Sequence, residues 1–130
     1  MGSQQLLIIT LVVFVAGLAI WTGVRLTRSY SQASERDTVL HQMNVVVGEA
    51  KKYHASPKSI GGGEGAFTGF VPSPRNVTTD RVRIYTTVGD DWVLLQGFGA
   101  VVGYDGIEPV QVVAQYRQSL KDWETITNVN

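Results

Sequence analysis

The side chains able to do chemistry are few and scattered. His41 and His54 stand 13 residues apart. On a helix that spacing turns through ~220° at ~3.6 residues per turn, so the two imidazoles cannot share a metal. Asp90-Asp91 offers two carboxylates, but no further oxygen ligands follow at calcium-loop spacing. The pair reads as a hairpin turn. Gly61, Gly62, Gly63 and Gly65 have the composition of a phosphate-cradling loop. The Gly-Lys-Ser/Thr that completes such a loop is missing, and no strand signal precedes it. No Ser-His-Asp spacing stands out. The chain has no cysteine, which excludes disulfides and thiolate metal sites. Asn76-Val77-Thr78 fits a glycosylation acceptor and makes Asn76 a candidate modification site. Phe14, Trp21 and Tyr30 are spaced along one segment, where ordinary packing accounts for them. The expectation is a protein that is not an enzyme and holds no cofactor or metal.

Charge points the same way. The 130 residues carry 11 basic and 11 acidic side chains, a balance that offers nucleic acid no attraction. The two halves differ. Residues 1–58 hold six basic and three acidic residues, and residues 59–130 hold five and eight. Stacked copies can use that contrast, although screening keeps each exposed pair weak.

What must position these residues begins with an apolar run. Residues 6–24 read LLIITLVVFVAGLAIWTGV, 19 residues without a charge. As a helix the run is ~28 Å long, close to the hydrocarbon thickness of a bilayer. It is apolar on every side, so it needs lipid or protein all around it. No Lys or Arg precedes it, and it is longer than a signal-peptide core, so it reads as a working segment. Gly17, Gly23 and Thr22 read as small residues for close helix packing.

Helical periodicity continues beyond it. Val39, Leu40, Met43, Val46, Val47, Ala50 and Tyr53 recur at spacings of three and four, which predicts an amphipathic stem. Gln32, Glu35, Asp37, Gln42, Glu49, Lys51 and Lys52 are expected on the opposite, solvated side. Ser56-Pro57 ends the helix. If the two stretches are continuous, one helix of some 50 residues spans ~75 Å.

The remainder reads as β structure. Residues 57–79 are rich in Gly, Ser and Pro and predict a connecting loop. Alternation over residues 81–87 and 110–117, a β-like run at 92–102 and a short last run at 123–129 predict four strands. Turns are expected at Gly89-Asp90-Asp91, Tyr104-Asp105-Gly106 and residues 119–121. Gly97 and Gly99 mark a bulge or a close backbone approach. The fold class is α+β: a long N-terminal helix packed on a small four-stranded antiparallel sheet. The apolar stem face covers the sheet, so each explains the other. The segments are 1–28 apolar helix, 29–56 stem, 57–79 loop and 80–130 head.

This layout resembles a type IV pilin. More narrowly, the chain is similar to short bacterial pilin-like proteins that open MGxQQLL. The matching features are Met1-Gly2-Ser3-Gln4-Gln5-Leu6-Leu7, Tyr53 near the stem end, Gly61-Gly62-Gly63, and Gly103-Tyr104-Asp105-Gly106-Ile107-Glu108-Pro109-Val110. The resemblance implies a major structural subunit of an extracellular filament. Its partners would be identical subunits, the inner membrane before assembly and a pilus assembly machinery. The implied filament core is Leu6, Leu7, Ile8, Ile9, Leu11, Val12, Val13, Phe14, Val15, Leu18, Ile20, Trp21 and Val24. Phe67 and Phe70, in the loop between stem and sheet, are implied to dock on the head or on the next subunit.

Two features depart from the family pattern. Pilins usually place a glutamate near the mature N-terminus to neutralise the terminal amine, whereas here no acidic residue precedes Glu35. Gln4 or Gln5 is the candidate amine partner, since an amide carbonyl accepts from an ammonium without bringing in a charge. Arg25 and Arg28 follow the apolar run, and by the positive-inside rule they favour a cytoplasmic head, opposite to what a pilin needs. Two other roles share the layout: a type II secretion pseudopilin, and a single-pass membrane-anchored ligand-binding domain.

Overall fold

A computed structural model describes residues 2–103 and 106–129. Helix α1 runs from Gly2–Ala55, 54 residues without a break, or ~80 Å at ~1.5 Å per residue. No proline interrupts it, and both Gly17 and Gly23 stay helical. Within the apolar half the threonine hydroxyls are satisfied by the helix itself. Thr10 Oγ1 donates to Leu6 O at 2.8 Å and Thr22 Oγ1 to Leu18 O at 2.8 Å. The segment therefore presents no unpaired hydroxyl to an apolar surrounding.

The helix stops at Ser56-Pro57, and the glycine run explains how. The last carbonyls of a helix lack intrahelical donors. Here the chain folds back over them. Gly63 N–H donates to Tyr53 O and Gly65 N–H to His54 O, both at 2.8 Å. Any side chain at Gly62 would strike Ser56 O, and a Cβ at Gly63 would sit 2.7 Å from Tyr53 Cε1. The glycines are thus a helix cap, with these amides spent on carbonyls rather than held out to a phosphate. The connecting segment is also more ordered than a plain loop. It contains a 3-10 turn at Lys58–Ile60 and a one-turn helix α2 at Pro74–Val77.

Strands β1 (Arg83–Val88), β2 (Trp92–Val102), β3 (Pro109–Arg117) and β4 (Asp122–Asn128) follow. They form one antiparallel meander in the order β1-β2-β3-β4. Each expected strand is present within two residues of its expected bounds. Tyr104 and Asp105 of the expected second turn lie outside the described residues.

The stem seam lies across the inner face of β2 and β3. Val39, Met43, Val46, Val47 and Ala50 are buried against Val93, Leu95, Val112 and Ala114, with Leu40 and Tyr53 half-buried beside them. The approach is close because β2 has no side chain at two inward points. A Cβ on Gly97 would strike Val39 Cγ1 and come within 2.8 Å of Met43 Cε. A Cβ on Gly99 would sit 2.6 Å from Glu35 Cγ. Gly97 stays in register opposite Val112 and marks a close approach alone, whereas Gly99 marks both a close approach and the shift in β2–β3 register between Phe98 and Val102.

One expectation fails here. Gln32 and Glu35 are not on a solvated face; they are 2% and 3% exposed. The buried stripe of α1 continues through them at spacings of four and three from Val39, and they lie under the end of β2.

Gly97→Val should shift the urea unfolding midpoint of the full chain in detergent micelles downward, by overpacking worth ~1–3 kcal/mol. Gly48→Ala is the control: its Cβ meets nothing within 4 Å. It should be neutral or stabilise by ~0.5–1 kcal/mol. Equal effects from the two would contradict the seam described here.

Candidate functional site

The largest feature without an intramolecular explanation is the front half of α1. Every implied core residue, Leu6 through Val24, is exposed, from 48% at Leu18 to 68% at Ile20. No residue of its most apolar window is buried within the molecule, and the segment is long and apolar enough to cross a membrane. Ordinary soluble monomers expose contiguous apolar patches of only a few hundred Å². A rod of this length exceeds that several-fold, so it needs lipid or protein around it. Gln4 and Gln5 lie exposed in the first turns of α1. Their expected partner is the terminal amine, and Met1 lies outside the described residues. No acidic residue stands in the first helical turn.

The surface is carried by a rigid mount. Where β2 and β3 lose register, residues 99–101 stand opposite Val110 alone. A bulge leaves backbone groups without ladder partners. The stem supplies them. Glu35 Oε1 accepts from Ala100 N–H at 2.7 Å, and Gln32 Nε2 donates to Val102 O at 3.2 Å. Arg81 reaches the other Glu35 oxygen at 3.4 Å from the exposed side. A second clamp holds the connecting segment. Glu49 accepts from Ser73 N–H at 3.0 Å and from the Asn76 side-chain amide, while Gln42 Nε2 donates to Asn76 O at 2.8 Å. These four stem residues were expected in solvent. The signal that could have found two of them is their spacing, since Gln32 and Glu35 continue the Val39 stripe.

Other candidate residues have local duties. Phe67 and Phe70 are buried in the head itself. Phe67 packs on His54 at 4.8 Å and on Tyr116 at 6.2 Å, and Phe70 on Tyr53 at 5.6 Å between ring centroids. Of the two placements expected for them, the head is the one found, and the exposed large apolar side chains of the connecting segment are Ile60 and Val71. Asn76 is half-buried with its amide nitrogen bonded to Glu49, so a glycan there would forfeit that bond. Asp90 accepts from Thr68 Oγ1, and its backbone carbonyl from Phe67 N–H at 3.0 Å. The Asp90-Asp91 pair is thus a turn that also fastens the loop. His41 is exposed and His54 is stacked on Phe67. Among the described residues no three His, Cys, Asp or Glu side chains gather as metal ligands. At the outer edge, the hydrogen bond from Arg117 to Glu124, 2.9 Å long, raises the guanidinium above its ordinary value, and the Glu124 charge adds to it.

Cutting Glu35 back to alanine would remove the carboxylate that accepts from the Ala100 amide, a hydrogen bond to a charged group worth ~1.5–3 kcal/mol. Glu35→Ala should therefore lower the thermal midpoint and speed hydrogen exchange at Ala100. Asp37→Ala, an exposed acidic neighbour on the same helix, should do neither.

No protein-family model matches the chain, and no curated protein or solved structure matches it. Any functional reading therefore rests on this chain's own residues.

Proposed function

We propose that this chain is the major subunit of a type IV pilus-like filament, polymerising through the front half of α1. One observation carries the reading: an unbroken apolar rod that is not buried against any of the described residues, continuous with a stem clamped to a folded head. Such a subunit rests in the cytoplasmic membrane with the rod among acyl chains. A pilus assembly machinery then moves the rod into a bundle of identical rods. Its surface stays out of water at both stages. Keeping it so is worth on the order of tens of kcal/mol at ~25 cal/mol per Å². Because the rod and its neighbours present different faces, contacts do not close on themselves and growth is open-ended. Gly17 and Gly23 have nothing within 4 Å of a built Cβ. They are notches where neighbouring helices can approach. The heads then face solvent on the cell surface, where they set adhesion and lateral contacts.

Microscopy of material sheared from producing cells tests this. Filaments several nanometres wide that contain the chain are expected. Phe14→Arg should abolish them, since a charge at the helix centre costs ~2.5–3.5 kcal/mol, while the head keeps its fold by tryptophan fluorescence. Detergent-soluble monomers alone would overturn the proposal in favour of an anchored ligand-binding domain. Short pieces retained inside the envelope would point to a type II secretion pseudopilin.

A further inference from the structure

We propose that Arg25 and Arg28 form a binding site for the phosphate of an anionic phospholipid at the base of the head. The site is a cavity of about 440 Å³ lined by Arg25, Arg28, Gln32 and Gly103. None of these described lining residues is acidic. Gln32 is already bonded to Val102 O, and Gly103 N–H to Glu108 O. The charged donors among these lining residues are the two guanidinium groups. Arg25 is stacked over the Trp21 ring at 4.1 Å, which steadies it. Arg28 is exposed, and among the described residues it has neither an ion pair nor a hydrogen bond. Arg28 also lines an open, largely apolar cavity of about 470 Å³ that includes Val24, Val101 and Val102. Guanidinium donors beside an apolar recess fit a phosphate diester joined to a glycerol and acyl chains.

Depth supports the same ligand. With residues 6–24 in the hydrocarbon, Arg28 lies four residues beyond the last apolar position, or ~6 Å further along the helix. The headgroup layer on each side is ~5–8 Å thick. Both arginines therefore stand at the level of lipid phosphates, with Trp21 about one turn below Arg25. Gly103 and Val102 place the base of the head at the same level. The bound lipid would hold the head down on the membrane before the rod is withdrawn. The inference requires the rod to occupy a bilayer, and it does not depend on polymerisation or on which leaflet faces the head.

The test is native mass spectrometry of the full chain in detergent, offered equal amounts of phosphatidylglycerol and phosphatidylcholine. The wild-type chain should retain phosphatidylglycerol preferentially. Arg25→Gln and Arg28→Gln should each weaken that retention about fivefold, and the double variant Arg25→Gln/Arg28→Gln should weaken it further. Lys52→Gln/Lys58→Gln removes as much charge as the double arginine variant but further along the chain, and should leave retention intact. Equal losses from the two double variants would mean diffuse attraction and would overturn the site. So would displacement of the lipid by millimolar glycerol phosphate, which would assign the cavity to a soluble phosphate. Wild-type chain that floats with vesicles but shows no lipid preference would sink this site alone, leaving the filament proposal to the microscopy.

Discussion

The head is held to its helix by an approach so close that β2 must lack side chains where the stem crosses it. Gly97 admits Val39 and Met43, and Gly99 admits Glu35. That closeness brings the Glu35 carboxylate within 2.7 Å of the Ala100 amide, where the β2 bulge has left the backbone without a ladder partner. A buried polar group is costly unless it is bonded. Here the buried Glu35 carboxylate is satisfied by the Ala100 amide of the sheet. The apolar seam above them supplies most of the burial, but it is not directional. The hydrogen bonds from Glu35 and Gln32 fix where along the helix the sheet must sit.

That registration matters because the same helix has two incompatible halves. The stem half is amphipathic and finds its cover within the chain. The front half is apolar all round and finds none. The front half lacks only surroundings: its backbone bonds are internal, and its threonines bond to carbonyls one turn back. Lipid meets that need without disturbing it, and so would other copies of the same helix. A helix that had to unfold or expose a polar group on changing surroundings would carry a barrier that this one lacks.

The join between the halves is where the charged residues stand. Arg25 and Arg28 close the apolar run, and Gln32 and Glu35 open the clamp one and two turns later. Within about ten residues the helix passes from hydrocarbon-like surroundings, through a cationic belt, into the head. Elsewhere the groups that looked chemical in sequence are structural. The glycine run caps a helix, the paired aspartates fasten a loop, and Asn76 is tied to Glu49.

By itself the sequence settled what depends on local pattern. The uncharged run, the three-and-four spacing from Val39 to Tyr53, the Ser56-Pro57 stop and four alternating stretches were each legible, because helix and strand periodicity is written in neighbouring residues. The same patterns put Gln32, Glu35, Gln42 and Glu49 in solvent, since polar side chains are usually found there. Tertiary structure reversed that. Glu35 meets an amide 65 positions away, Gln32 a carbonyl 70 away, and Glu49 and Gln42 a segment 24 to 34 away. It also turned Phe67 and Phe70 inward and set the glycine run over the helix end. A hydrogen bond across such separations depends on where the backbone of another element lies. Nothing in the local spacing of polar residues encodes that position; only the folded packing of helix on sheet decides it.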